Sequence, residues 1–285
     1  MSARKTAGKP ARHAAEPLPS LEALRTQLSA PGAVLTDALR SAMARDPRKG
    51  VQQLLAALDA RAAKAQAELD RQERMLRYER PLWAAGTLHV AGVDEVGVGP
   101  LAGPAMAAAV ILPRDFRLAG LNDSKQVLDP AAREALAAEV RASAIAYCIA
   151  RGEVDEIDRL NIRGATLLAM RRAVNGLVIQ AQHLLVDAHR IPELSMPQTP
   201  IIKGDALSSS IAAASVIAKV ARDALMAELD GRYPGWGFAE HAGYPTPTHL
   251  AALRERAPSP VHRTSFAPVR ASLERFGPPR RDGSW

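Results

Sequence analysis

The stretch His89–Pro113, HVAGVDEVGVGPLAGPAMAAAVILP, decides the fold. Two apolar runs, His89–Val93 and Ala105–Leu112, flank a turn rich in glycine and proline, and Pro113 closes the second run. Short apolar runs bounded by such residues read as β-strands. The first run ends in two adjacent acids, Asp94 and Glu95. Gly97, Gly99 and Gly103 follow, after Gly92 within the strand itself. Glycine permits positive φ and close approach of another backbone. Taken alone, an acid pair beside such a turn also fits a solvated corner, so it specifies no chemistry by itself.

Toward the C-terminus, Ala144–Val154 reads as a third strand and Asn161–Gln182 as a helix, with Ile162, Ala165, Leu168, Ala169 and Ala173 on one side. His183–Asp187 is a short apolar strand ending in a carboxylate, and Pro200–Lys203 is another, with Asp205 just beyond it. Ser208–Tyr233 and Pro247–Arg256 read as helices. Toward the N-terminus, Pro81–Gly86 breaks a long helical pattern that runs from Val51 to about Tyr78, whose apolar face is thin (Leu54, Leu55, Leu58, Ala62). Ser20 precedes a shorter pattern of Leu21, Leu24 and Leu28. Strands followed by helices predict an α/β layer fold with a mixed or parallel sheet over residues 84–276. A helical extension is expected over 21–83, a disordered basic tail over 1–20 and a loose tail over 277–285.

Composition narrows the function. Hydrophobic residues make up 47% of the 285 and aromatics only 4%, so aliphatic and alanine side chains must fill the core. Of the 37 basic and 30 acidic residues, 15 and 9 lie in residues 1–82 and 22 and 21 in residues 83–285, so the basic excess sits mainly in the extension. A polyanionic partner fits this balance. No apolar run reaches the ~18 residues needed to span a membrane, and the first 20 residues lack the apolar stretch of a secretory signal. The one cysteine, Cys148, excludes an internal disulfide, and a cytoplasmic protein is expected.

Three strands thus end in acids: Asp94 with Glu95, Asp187 and Asp205. Strand ends at one edge of a sheet converge, and ligand sites collect there. Carboxylates crowded together repel, and hard divalent cations such as Mg²⁺ or Mn²⁺ relieve the repulsion. Two such ions ~4 Å apart can activate water and stabilise the leaving oxygen of a phosphodiester. No serine or cysteine nucleophile motif competes.

At these residues the chain resembles the ribonuclease HII family, the type 2 ribonucleases H. DEVGVGPLAGP, LNDSKQVL, EIDRLNIRGATLLAMRRAV, KGDALSSSIAAASVIAKVARDALM, YPGWGFAEHAGYPTPTHL and HRTSFAPV resemble its signatures in order, from about Leu88 to Val269. The extension, with RKGVQQLL and RMLRYERPLW, resembles longer bacterial members. The resemblance implies a ribonuclease H-like fold, a central five-stranded mixed sheet flanked by helices. It implies hydrolysis of the RNA strand of RNA–DNA hybrids, leaving a 5′-phosphate and a 3′-hydroxyl. It also implies incision at ribonucleotides embedded in duplex DNA, the first step of ribonucleotide excision repair. Mn²⁺ or Mg²⁺ would be held by Asp94, Glu95, Asp187 and Asp205, the four acids already singled out, in a protein expected to be monomeric and off the membrane.

The same resemblance places the Gly97-Val98-Gly99 backbone against the ribose 2′-hydroxyl, which separates RNA from DNA. It places Tyr244 on the neighbouring deoxyribose, Ser124, Lys125 and Lys203 on phosphates, and Asn161 and Lys219 as further substrate contacts. Asp223 reads instead as an ion-pair or helix-surface residue, and His241, His249 and His262 as packing or substrate-side groups. Ala212–Ser215 reads as close helix-to-sheet packing. Three positions depart from the family pattern: Val98 replaces an arginine, Ala242 a lysine and Ala188 a glycine. Two alternatives stay open at this point: another nuclease of the same fold, which would cut strands without ribose, and a catalytically weakened hybrid-binding protein.

Overall fold

A computed structural model describes residues 18–30, 32–114, 116–121 and 129–278. Most of the two expected tails, and Ser124 and Lys125, lie outside the described residues. The chain forms two compact units, Met1–Leu69 and Asp70–Trp285.

The first unit holds α1 (Leu21–Ser29), α2 (Asp37–Arg45) and the greater part of α3 (Lys49–Met75). Ser20 and Thr36 cap α1 and α2 by accepting from Ala23 N–H and Leu39 N–H. Leu24, Met43, Val51 and Leu55 form its small core. The sequence expectations do not include α2, a nine-residue helix that buries Met43 with Leu39 packed beside it.

The second unit begins within α3 and continues through α4 (Glu79–Ala84), β1 (Val90–Val96), β2 (Ala105–Ile111), α5 (Pro130–Ser143), β3 (Ala146–Gly152), α6 (Val154–Asn175), β4 (His183–Asp187) and β5 (Gln198–Ile201). A 3₁₀ turn at Gly204–Ala206 leads into α7 (Ser209–Arg232), α8 (Phe238–His241), α9 (Pro247–Glu255) and α10 (Ala267–Phe276). Pro81 does not prevent a helix, because it falls in the first turn of α4, where backbone N–H groups have no intrahelical acceptor. The helix expected over Asn161–Gln182 ends at Asn175, and the strand expected at Pro200–Lys203 lies at Gln198–Ile201. Pro200 is tolerated there because β5 is an edge strand.

The five strands form one mixed sheet in the order β3-β2-β1-β4-β5, antiparallel between β1, β2 and β3 and parallel between β1, β4 and β5. Strand side chains alternate between faces, and β2 shows this directly. Ala107, Ala109 and Ile111 pack toward α6 with Ala169, Met170 and Ala173. Ala108 and Val110 pack toward α5 and α7 with Ala137, Val140, Ala213 and Ile217. A strand covered on both sides reads as an unbroken apolar run, which is why β2 has no alternation in sequence.

The sheet meets α7 at unusually short range. A β-carbon on Gly92 would lie 2.0 Å from the Ser210 carbonyl carbon, so only glycine lets helix and strand backbones touch there. The N-terminus of α7 is fixed by a second device. Ser208 Oγ accepts from Ile211 N–H (3.3 Å) and donates to Glu79 Oε1 (2.6 Å), which also accepts from Ser210 N–H (3.0 Å). Burial pushes the Glu79 carboxyl up, against the hydrogen bonds from Ser208 and Ser210.

Candidate active site

The parallel register pairs Val93 with Val186, so the next residues, Asp94 and Asp187, emerge side by side at the C-terminal ends of β1 and β4. Carboxylate oxygens of Asp94, Glu95 and Asp187 lie within 4.8 Å of one another. Asp94 is 5% exposed. Burial pushes its carboxyl well above the usual range, and the Glu95 and Asp187 charges push the same way, while Ser215 and the Glu95 N–H donate to it. A divalent cation relieves such a crowd of buried negative charge, so this donor set fits Mg²⁺ or Mn²⁺.

Asp205 is not part of that trio. It sits in the 3₁₀ turn beyond β5, 7% exposed, with Oδ1 accepting from Ala206 N–H at 3.0 Å. The residue before it, Gly204, donates its N–H to Asp187 Oδ1 at 2.7 Å, which keeps the turn against the acidic group. Three of the four expected acids thus group together, and the fourth stands on the turn that Gly204 ties to Asp187.

Ser215 is expected from the sequence to pack, and its Ala212–Ala214 neighbours do so. Its hydroxyl additionally bonds Asp94. Asp223 takes the ion-pair role expected of it, accepting from Lys219 Nζ (2.6 Å) and Arg133 (3.4 Å). Lys219 thus has its ammonium on Asp223. Lys203 is exposed with φ 57°, and Asn161 is exposed with φ 62° and ψ 169°. Asn161 divides α6 into two helical segments, its Oδ1 accepting from Gly164 N–H at 3.1 Å as an internal N-cap. Such a backbone conformation in a non-glycine residue is costly and concentrates at functional sites. Ala188 also has a positive φ, 52°, which explains why a glycine is the expected residue there.

The glycine turn after β1 is held from beneath by two arginines that the sequence does not reveal. Arg263 is fully buried and donates to Gly97 O (2.6 Å), Val98 O (3.0 Å), Pro100 O (2.6 Å) and Gly103 O (2.9 Å). Arg222, also fully buried, donates to Ala242 O (3.0 Å) and Ala102 O (3.2 Å). Neither forms an ion pair with an acid among the described residues. Burial, and then the neighbouring Arg222 cation, push the Arg263 guanidinium down to about 9, which leaves it charged at neutral pH. Gly97 has φ 82°, and a β-carbon there would strike Arg222 Nε at 2.2 Å.

Tyr244 lies over this turn, 43% exposed, its ring 3.6 Å from where a Gly99 β-carbon would be. Three histidines fix its loop. Ser259 N–H donates to His262 Nδ1 (3.0 Å), so His262 Nε2–H must donate to His249 Nε2 (2.9 Å), and His249 Nδ1–H to Tyr244 O (2.9 Å). Gly243 N–H donates to His241 Nδ1 (3.1 Å), leaving His241 Nε2–H for Trp236 O (2.8 Å). The three rings cluster as hydrogen-bond links, with His241 and His249 stacked at 4.4 Å.

Burial lowers His249 to about 4, with His241 and Arg256 adding to the shift, and His262 to about 3, with His249, Arg256 and His241 adding to it. Both stay neutral in the fold while unfolded copies protonate below about 6.5. The unfolded state then binds more protons, so this stability is complete above pH 6.5 and is lost as pH falls toward 4 and 3. His262→Leu should cost about 1–3 kcal/mol at pH 7 by leaving buried partners unpaired. Between pH 6 and 4 it should also remove a dependence approaching about 1.4 kcal/mol per pH unit. Urea unfolding of both proteins at pH 6, 5 and 4 checks this, and parallel slopes would refute it.

Beside Glu95 and Val98 lies a cavity of about 230 Å³, also lined by Ile162, Arg163, Met170 and His189. No helix among the described residues is long and apolar enough to cross a membrane.

Comparison with known proteins gives a consistent result. Residues 91–269 match the family model described as Ribonuclease HII, and residues 21–83 match the one described as Ribonuclease HII N-terminal domain. The chain is 56% identical over 235 residues to Ribonuclease HII of Myxococcus xanthus (strain DK1622), covering 82% of this chain and 80% of the relative. It is 49% identical over 267 residues to that of Anaeromyxobacter sp. (strain Fw109-5), covering 91% and 84%. Among solved structures it resembles ribonuclease H2 from Pyrococcus horikoshii OT3 with TM-score 0.56 and 29% identity, over 66% of this chain and 98% of that one.

Proposed function

The chain belongs to the ribonuclease HII family, and from that premise we propose how its residues bind and cut their substrate. Its activity is that of a ribonuclease H endonuclease. The substrates we assign are the RNA strand of RNA–DNA hybrids and single ribonucleotides embedded in duplex DNA, cut to leave a 5′-phosphate and a 3′-hydroxyl. Asp94, Glu95 and Asp187, with Asp205 on the adjoining turn, would hold a pair of Mg²⁺ or Mn²⁺ ions. When bound, such ions supply positive charge at the scissile phosphate and lower the pKa of water. The observation that carries this reading is the trio of carboxylates within 4.8 Å at the ends of two parallel strands.

The remaining residues serve recognition. The exposed backbone at Val98 and Gly99 faces the ribose, and Tyr244 beside it offers a ring for the neighbouring sugar. Lys203 and Asn161 are exposed; Lys203, Ser124 and Lys125 take the phosphate roles, and Asn161 and Lys219 the further substrate contacts, that the family pattern implies. Val98, where an arginine is expected, gives the turn an apolar rather than a cationic tip. The unpaired Cys148 suits a reducing compartment, and we place the enzyme in the cytoplasm, in ribonucleotide repair.

The test offers three duplexes with Mg²⁺ or Mn²⁺: RNA–DNA hybrid, DNA with one ribonucleotide, and all-DNA. Cutting of the first two and sparing of the third is expected. Intact ribose-containing strands would reject the assignment.

A further inference from the structure

Arg263 spreads its guanidinium over four carbonyls of one turn, and this fixes which way the turn's peptides face. No peptide bond in the described chain is cis. In a trans peptide the C=O of one residue and the N–H of the next point in opposite directions. The carbonyls of Gly97 and Val98 point inward to Arg263, so the N–H groups of Val98 and Gly99 point outward. Both residues are exposed, while Gly97 and Pro100 on either side are buried. Neither of these two N–H groups bonds another described residue. The next N–H, on Leu101, is already bound to Gly243 O at 2.8 Å, and Pro100 has none.

We infer that Arg263 is the positioning residue for ribose selection: it turns two consecutive N–H donors outward, where they read the oxygen that ribose has and deoxyribose lacks. This inference rests on the reading that ribose-containing strands are the substrate. Arg263 touches no substrate itself. It is buried beneath the turn and acts through the peptide planes, and its backbone N–H to Leu101 O (2.8 Å) anchors it to the same segment. Arg222 and Gly97 complete the support: Arg222 holds Ala102 O, and the absent side chain at Gly97 leaves room for the Arg222 guanidinium. Five N–H donors in a rigid fork suit several carbonyls at once, whereas a lysine ammonium offers three rotatable donors on one atom. Arg263→Lys therefore keeps the buried charge and loses the simultaneous hold on Gly97, Val98, Pro100 and Gly103.

The measurement is a ratio of affinities in Ca²⁺, used to hold the duplex without hydrolysis: all-DNA duplex against the same duplex with one ribonucleotide. Arg263→Lys should reduce the wild-type preference for the ribonucleotide about tenfold, the size of one or two hydrogen bonds. Affinity for all-DNA duplex and for Mn²⁺ alone should stay as in wild type. Equal loss of affinity for both duplexes, or an unchanged preference, overturns the inference. If Arg263→Lys does not fold, incorporation of the α-hydroxy acid of valine at position 98 decides instead. It replaces that one N–H by oxygen with Arg263 intact, and the same loss of preference is expected; an undiminished preference overturns the inference. A wild type without any ribonucleotide preference would instead defeat the underlying substrate assignment, so the two failures are distinguishable.

Discussion

Asp94→Asn should lower the rate of RNA-strand cleavage by at least about 10³-fold, equivalent to about 4 kcal/mol of transition-state stabilisation. The substitution changes one atom and keeps the side-chain volume, so packing against Ser215 and the β1 register with Ala108 survive. The centre of the anionic trio loses its charge. The metal-free protein should at the same time become more stable, because a buried carboxylate that Glu95 and Asp187 repel has been neutralised. A rise of a few degrees in metal-free Tm is expected, together with a loss of the stabilisation that added Mn²⁺ gives wild type. Rate and Tm moving in opposite directions is the signature of a residue kept for chemistry at the cost of the fold. If cleavage persists within tenfold of wild type, the acids do not carry the reaction.

The second large effect lies in the scaffold. Gly92→Ala should destabilise the second unit by about 3 kcal/mol or more, the upper end of what overpacking causes, lowering Tm by roughly 6–12 °C. The added methyl would meet the Ser210 carbonyl carbon at 2.0 Å and the Ile211 nitrogen at 2.3 Å, and both are backbone atoms that cannot swing aside. Relief requires α7 to move off β1, which also carries Ser215 away from Asp94. Activity should therefore fall along with stability. Gly231→Ala on the same helix is the control: nothing lies within 4 Å of its added methyl, so it should be neutral or stabilising. Similar Tm values for the two variants would show that the strand–helix contact is not tight.

Gly92 and Asp94 sit in one apolar run, and such runs are the part of this fold that the sequence makes legible. β1, β2 and β4 stand out because a strand covered on both faces has little room for polar residues. The three acids that converge are those at the ends of such runs, which a sheet edge gathers by geometry alone. Asp205 is less legible. Sequence shows that it follows a strand, but not that a 3₁₀ turn sets its carboxylate on its own backbone. Arg222 and Arg263 are invisible in sequence for a different reason. Their partners are carbonyl oxygens, which every residue has, so no sequence pattern marks the site, and arginine ordinarily reads as surface. His249 and His262 stand 13 residues apart, and only the path from α9 through the loop before α10 brings their Nε2 atoms to 2.9 Å. Short helices such as α2 and α10, nine and ten residues long, bury one or two residues each and offer fewer than about three turns of pattern to count.

The buried Glu79 bears on where this enzyme can be shortened. Residues 91–269 match the catalytic family model, which invites trimming the gene to that span. Leu76 and Trp83 nevertheless share a core with Val90, Leu185, Ile201 and Ile211, and Glu79 supplies the acceptor for Ser208 at the head of α7. A gene cut at that boundary would strip the cover from β4 and β5 and leave the helix next to Asp205 without its anchor. The segment before β1 is thus a structural wall of the hydrolytic body, and a workable minimal version has to start back within α3.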